Sequence, residues 1–264
     1  MDGTGENRGS AEALIGCTGF VGGNLKVQHA FSDLYHSANI EQIRDRAFNL
    51  IVSAGTPSVK FRANKEPEAD LAAIRRLTDS LTEVKTDFFV LISTLNVYPD
   101  PRGVDEDAQI DVQGLSPYGL HRYQLEQFVT EHFPNHLIVR LPGIFGSGLK
   151  KNVLFDLMQG NDEFLKQMHV DSVVQFYDLQ YLWRDIQRAR SHGISLLNAA
   201  PESLKLQHIV REVFGREFPG RTEGSVYHDD MHTRYGSLWG QDIPYLYSSA
   251  QVMRDLKAFV ASRA

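Results

Sequence analysis

The chain has 264 residues, 42% of them hydrophobic and 23% charged, a balance ordinary for one large α/β domain or a large domain with a smaller companion. A formal charge of -6 without Lys/Arg blocks argues against non-specific nucleic-acid binding, and no apolar run approaches the ~18 residues of a membrane helix. The one cysteine, Cys17, excludes an intrachain disulfide and a Cys-rich zinc cluster, and fits a cytoplasmic location.

Residues 1–10 are polar and Gly-rich, and read as a mobile leader with no apolar stretch of a secretory signal. The apolar run Ala13-Leu14-Ile15 then meets the glycine loop Gly16-Cys17-Thr18-Gly19-Phe20-Val21-Gly22, and a helix follows over 21–29. A second strand fits residues 31–35, and a short helix fits 39–46 with Asn39 as its cap. Phe48-Asn49-Leu50-Ile51-Val52 is a buried strand that ends at Ser53-Ala54-Gly55-Thr56-Pro57. Residues 68–84 carry Leu71, Ile74, Leu77 and Leu81 at helical spacing. The next strand, 88–92, stops at Ser93-Thr94, and a polar loop leads to a helix over 118–132. A strand over 137–141 closes on Pro142-Gly143. Beyond Gly146 the pattern loosens into a helix at 153–158, strands at 173–177 and 194–197 returning to the sheet, and helices at 204–214 and 251–262. Between the last two helices, 215–249 is rich in His, Tyr, Gly and Pro and reads as irregular structure over a site.

Strands alternating with helices predict an α/β fold, a Rossmann-type doubly wound parallel sheet. Residues 11–147 are expected to form a dinucleotide-binding domain, with returning strands within 173–200. Residues 148–264 form a smaller, partly irregular substrate-binding region. On such sheets ligands bind at the carboxyl ends of the strands. The glycine loop, Ser93-Thr94 and Pro142-Gly143 all fall there. A strand that turns into a helix through glycines lets backbone N–H groups at the helix start meet a pyrophosphate. Gly16 permits the tight turn, Gly19 the close approach and Gly22 the packing of helix on strand. The expected cofactor is therefore NAD or NADP, held by Gly16, Thr18, Gly19, Phe20, Val21 and Gly22. Further contacts are expected from Ser37, Ala54, Gly55, Ser93, Pro142 and Gly143 at the other strand ends. Cys17 reads as a small filler.

Taken in order, several segments resemble the extended short-chain dehydrogenase/reductase family, in its nucleotide-sugar epimerase and dehydratase branch. They are Gly16-x-x-Gly19-x-x-Gly22, Ser93-Thr94-Leu95-Asn96-Val97-Tyr98, Ser116-Pro117-Tyr118-Gly119-Leu120-His121-Arg122 with Glu126, and Arg140-Leu141-Pro142-Gly143-Ile144-Phe145-Gly146. The resemblance covers roughly residues 11–200. It implies that Tyr118 exchanges a proton with a substrate hydroxyl while the nicotinamide exchanges a hydride, and that Thr94 orients the substrate oxygen. It further implies a cation four residues after the tyrosine that lowers its pKa and binds the ribose. A free tyrosine titrates near ~10, so such help is needed at neutral pH. A possible homodimer through the Tyr118 helix follows from family habit.

Three departures shape the expectation. The family's lysine is Arg122, a planar guanidinium that can bind a ribose but is not interchangeable with lysine. Leu95 and Asn96 stand where sugar 4,6-dehydratases carry an Asp-Glu pair, which makes that dehydration unlikely and leaves Asn96 to contact substrate. His36, Ser37 and Asn39 replace the acidic residue expected ~20 positions after the loop, so NADP is admitted, with Arg44 available to its phosphate. The short connection before Ser53 resembles the compact branch that includes deoxysugar ketoreductases. Asn152, next to Lys150-Lys151, and Arg234, beside His228-Asp229-Asp230-Met231-His232, are candidates for an anionic, nucleotide-linked substrate. Without a His-Glu-x-x-His helix or Cys pairs, no metal is expected despite ten histidines. His121 fits either proton transfer or a hydrogen-bonded buried site, and Trp183 packs the smaller region. The expected activity is an NAD(P)-dependent epimerase or reductase. The alternative is a non-catalytic NAD(P)-binding sensor or scaffold module with an altered motif at Arg122.

Overall fold

The computed structural model describes residues 11–163 and 165–263, so the expected leader at 1–10 lies outside the described residues. The chain enters through β1 (Glu12–Ile15), turns through the glycines into α1 (Phe20–Gln28), and returns as β2 (Asp33–Tyr35). It then crosses to β3 (Ala47–Ser53), α2 (Lys60–Lys65), α3 (Pro67–Leu81) and β4 (Lys85–Thr94). Next come α4 (Pro117–His132), β5 (His136–Leu141), β6 (Gly143–Phe145) and α5 (Val153–Met158). The final part runs β7 (Val173–Val174), β8 (Phe176–Asp178), α6 (Leu182–Ser191), β9 (Leu196–Asn198), β10 (Leu204–Lys205), α7 (Leu206–Phe214) and α8 (Ser249–Ala261).

The six strands β2-β1-β3-β4-β5-β9 form one parallel sheet in that order. Side chains alternate across it, as strand geometry requires. On one face Ala13, Ile15, Ile51, Phe89, Leu91 and Ile138 are buried under Ile74, Leu77 and Leu81 of α3 and Leu125 and Val129 of α4. On the other, Leu14, Leu50, Val52, Val90, Ile92, Leu137 and Val139 meet Leu25 of α1 and Leu182 and Ile186 of α6. Burial on both faces explains the near-continuous apolar runs of β3 and β5. Leu206, Ile209 and Val210 of α7 and Val252 and Leu256 of α8 belong to that second cluster, so the C-terminal part shares the core of the sheet.

The strand order reverses at β1. The chain first adds β2 on one side and then jumps to β3 on the other, which opens a crevice above their carboxyl ends. Several local expectations change. Residues 39–46 give only a 3-10 turn over Ile40–Ile43, and Asn39 does not cap it. Its Oδ1 instead accepts from His36 N at 2.7 Å and its Nδ2 donates to the Leu34 carbonyl, holding the turn at the end of β2. Only β9 of the two expected returning strands joins the main sheet. The 173–177 segment splits, with β7 pairing antiparallel to β10 and β8 parallel to β6. Strands of two or three residues carry too few positions for periodicity to reveal their partner. The helix α2 was not expected, because its polar sequence shows no apolar stripe. Among the described residues no helix is long and apolar enough to cross a membrane.

Candidate active site

The glycine turn is built by close approach. Gly16 sits at φ +82°, and a Cβ there would meet the Ala54 carbonyl oxygen at 2.4 Å, so only glycine lets β1 and the end of β3 come together. Its N–H donates to the Tyr35 carbonyl at 2.8 Å, and Cys17, buried as a filler, does the same at 3.1 Å. A Cβ on Gly22 would lie 2.1 Å from the Gly16 carbonyl oxygen, so the helix can rest on the turn only without a side chain. Gly19 precedes α1 with no side-chain cap, and no acidic residue stands in the first turn. The opening N–H groups of α1 are thus left for an outside acceptor, the arrangement that binds a phosphate. Thr18 and Gly19 are exposed at this mouth, while Phe20 and Val21 pack inward against the core.

At the end of β2 Ser37 is exposed, and the nearby carboxylates are engaged elsewhere: Asp33 with Arg46 and Glu41 with Arg76. Arg44 lines a cleft along α3 with Glu68, Arg75 and Asp79.

Tyr118 is seated by α4. Ser116 caps the helix by accepting from Gly119 N, with Pro117 at the first turn. Gly119 explains the tight join to β4, because a Cβ there would be 2.2 Å from the Asn96 carbonyl oxygen. Tyr118 N donates to Asn64 Oδ1 of α2 at 3.0 Å. Burial raises the Tyr118 pKa, against the opposing pull of the Arg122 charge and of hydrogen bonds from Thr94 and Arg122. Thr94 Oγ1 in turn accepts from Asn96 N at 3.2 Å and Asn96 Nδ2 at 2.9 Å.

Arg122 stacks its guanidinium 3.9 Å from the centre of the Tyr118 ring. The same group is bound hand to hand with Asp70 of α3: Nη2 donates to Oδ1 at 2.9 Å, Nη1 to Oδ2, and Nη2 also to the Pro57 carbonyl. His121 Nδ1 donates to the same carboxylate at 2.7 Å, which gives His121 its buried hydrogen-bonded place. Burial acts to raise the Asp70 carboxyl, but hydrogen bonds from Arg122 and His121 and the charge of Arg122 outweigh it and hold it below the usual carboxylate value. Arg122 Nε, also buried, has no partner. Sequence reasoning missed Asp70. It lies 52 positions before Arg122 and carries no motif of its own.

The other candidates are placed as follows. Ser93 Oγ donates to Glu126 Oε1 at 2.5 Å, within a buried network in which Arg140 donates to Glu126 and to the Tyr98 hydroxyl. Ala54 and Gly55 face Gly16 across the crevice. Pro142 and Gly143 continue from β5, and Gly143 is held close to the Gln175 carbonyl through the β6–β8 pairing. Asn152, at φ 132°, caps α5 through Phe155 N and donates to the Ile144 carbonyl, so its amide is already engaged. Lys151 Nζ reaches Ser58 at 3.3 Å, joining the segment after β6 to the one after β3. Arg234 pairs with Asp107 at the surface. In the His-Asp stretch, Asp229 accepts from Tyr227, while Asp230 accepts from Ser203 and Tyr245. Gly16, Ala54, Gly55, Thr94, Tyr118 and Arg122 are thus gathered at neighbouring strand ends. Ser93, Asn152 and Arg234 have partners within the protein.

No family profile matches the chain, and no curated protein sequence does. Solved structures do. A dTDP-4-dehydrorhamnose reductase from Bacillus anthracis str. Ames, in complex with NADP, matches with a TM-score of 0.71 at 16% identity, over 96% of this chain and 98% of the other. A dTDP-4-dehydrorhamnose reductase from Clostridium acetobutylicum ATCC 824 gives 0.71 at 13% identity, over 96% and 99%. The UDP-glucose 4-epimerase of Thermotoga maritima, with UDP-glucose, gives 0.66 at 14% identity, over 95% and 97%. The chain shares the fold of these reductases and this epimerase, the fold that the resemblance to the extended short-chain dehydrogenase/reductase family implies. At such identities the likeness fixes the fold and its whole-chain extent. Within that fold the glycine turn lies at the switch point of the sheet, and Thr94, Tyr118 and Arg122 lie at the ends of the next elements along.

Proposed function

We propose that the protein is an NAD(P)-dependent oxidoreductase or epimerase acting on a hydroxyl or keto group of a nucleotide-sugar-like substrate. One observation carries this reading: Thr94 at the end of β4 acts on the Tyr118 phenol, which stacks on the Arg122 guanidinium, along the same edge of the sheet as the glycine turn. The neighbours' substrates, dTDP-linked and UDP-linked sugars, support the substrate class.

The residues fit a dinucleotide. Gly16, Thr18, Gly19, Phe20, Val21 and Gly22 would hold the pyrophosphate, with Ser37, Ala54, Gly55, Ser93, Pro142 and Gly143 along its length and Arg122 toward the ribose. Bound there, NAD or NADP supplies or accepts the hydride. Tyr118 gives its phenolic proton to the substrate oxygen in reduction and takes it back in oxidation, while Thr94 donates a hydrogen bond to that oxygen. Asn96 would act on the substrate through Thr94, whereas the side chains of Asn152 and Arg234 are engaged within the protein. Leu95 is buried and apolar and Asn96 is a neutral amide, so neither serves as the acid/base pair of 4,6-dehydration. Reduction or epimerisation is the consistent chemistry.

The pairing of Arg122 with Asp70 favours a second reading, a non-catalytic cofactor sensor, because it removes net charge from beside the phenol. Calorimetric titration with NAD, NADH, NADP and NADPH tests the site. Saturable binding of one pair, lost in Gly19→Leu, is expected. Turnover of a dTDP- or UDP-linked keto sugar, abolished by Tyr118→Phe with cofactor affinity unchanged, separates enzyme from sensor. Absence of binding by all four nucleotides would sink both.

A further inference from the structure

Thr94 can orient a substrate oxygen only if its proton points at the site. A hydroxyl oxygen has two acceptor lone pairs and one proton. In this structure both acceptor positions are filled from one residue, the backbone N–H and side-chain Nδ2 of Asn96. The remaining proton must then be donated elsewhere, toward Tyr118 or whatever sits beside it. The arrangement holds only while the Asn96 amide keeps its NH2 toward Thr94, because the flipped amide would present an oxygen and compete for the proton. Lys60 decides the orientation. Its Nζ lies 2.5 Å from Asn96 Oδ1, and an ammonium can only donate, so the contacted atom must be the oxygen and the other must be nitrogen.

We propose that Lys60 is a positioning residue for the reaction: through Asn96 it locks Thr94 as a hydrogen-bond donor facing Tyr118. The residue comes from α2, a helix with no apolar stripe, which rests beside α4 and offers Asn64 to the Tyr118 backbone as well. Arg122 cannot take this part, since its guanidinium forks onto Asp70 and the Pro57 carbonyl. The Lys60 charge also acts on Asp229, in the loop that carries His228. The catalytic significance rests on Tyr118 working as proposed above. The lock itself does not.

The test therefore reads both. In ligand-free protein, solvent exchange of the Asn96 side-chain amide protons, assigned by their loss in Asn96→Leu, is followed by NMR. In Lys60→Met the exchange should quicken at least severalfold, and in Lys60→Arg it should stay slow. Unchanged exchange in Lys60→Met overturns the proposal, whatever the activity. In turnover, Lys60→Met should lower kcat about tenfold with cofactor affinity and KM held, the signature of an interaction made in the transition state. Lys60→Arg should restore most of it, and adding Lys60→Met to Asn96→Leu should cost nothing more. Additive losses also overturn the proposal. If the wild-type chain binds no dinucleotide, the proposed function fails, and the exchange measurement still decides the lock. Lys60 is exposed, so the variant keeps its fold.

Discussion

At the scale of the residue, Arg122 shows how the shape of a side chain selects its partners. A lysine offers one point charge, whereas the guanidinium presents a planar fork, and here the fork is met by both oxygens of Asp70. Arg122 is 2% and Asp70 6% exposed, so neither can be left alone without a large cost. Exposed ion pairs in general are worth at most about 1 kcal/mol, but breaking a buried pair typically costs about 3–5 kcal/mol. Urea unfolding of Arg122→Met should show a loss of that order, and adding Asp70→Asn should recover part of it. The pH dependence has a definite sign. Because the folded Asp70 carboxyl titrates below its unfolded value of about 3.9, its contribution is complete above that pH. It is lost as pH falls through the lower folded value. Asp70→Asn should therefore be less stable near neutrality, and its stability should fall less steeply below about pH 4.

At the scale of the element, α4 is the part whose seating matters most, because it carries Tyr118 at one end and Glu126 two turns on. Below the site, Glu126 is clamped by Arg140 of β5 and by Ser93 of β4, which fixes the helix against both strands. Above, Gly119 lies against the Asn96 carbonyl with no room for a methyl group. Gly119→Ala should push the N-terminal turn of α4 away from β4. The helical propensity gained by alanine is only about 1 kcal/mol and is outweighed by overpacking against backbone, at about 1–3 kcal/mol. The expected result is a lower unfolding midpoint in urea together with weakened turnover, while nucleotide binding at the glycine turn persists. A variant more stable than wild type, with full activity, would show that the contact is not the constraint. The C-terminal elements are tied in differently. Asp185 of α6 is buried and accepts from Tyr177, Tyr247 and Trp239, drawing β8, the segment before α8 and the 3-10 turn Gly236–Trp239 onto one carboxylate.

At the scale of the whole molecule, the division into a dinucleotide-binding part and a smaller substrate-binding part describes chain order better than packing. Leu14 and Val52 of the sheet, Leu206 of α7, Trp239 and Leu256 of α8 lie in one buried cluster. Elements that share a core should unfold together. Scanning calorimetry is expected to give one transition, with equal calorimetric and van't Hoff enthalpies, and a saturating dinucleotide should move it as a unit. Two transitions, only one of them shifted by nucleotide, would assign the two parts separate cores.

Local chemistry made much of this legible in advance. Glycines at a strand-to-helix junction, a Ser-Thr pair at a strand end and a Pro-Tyr-Gly helix start each need only their immediate neighbours to be recognised. The long apolar runs likewise identify β3, β4 and β5, since burial on both faces leaves few polar positions. The sequence by itself thus determined the α/β class, the parallel sheet, the glycine turn and the strand ends at which Thr94 and Gly143 stand. Tertiary structure alone decided which groups face them. Asp70 reaches Arg122 across 52 positions and Lys60 reaches Asn96 across 36, contacts that depend on how α2, α3 and α4 pack and leave no periodic trace in the chain. The partners of β6, β7, β8 and β10 were hidden for a related reason: strands this short are selected by the surfaces they meet, not by their own pattern.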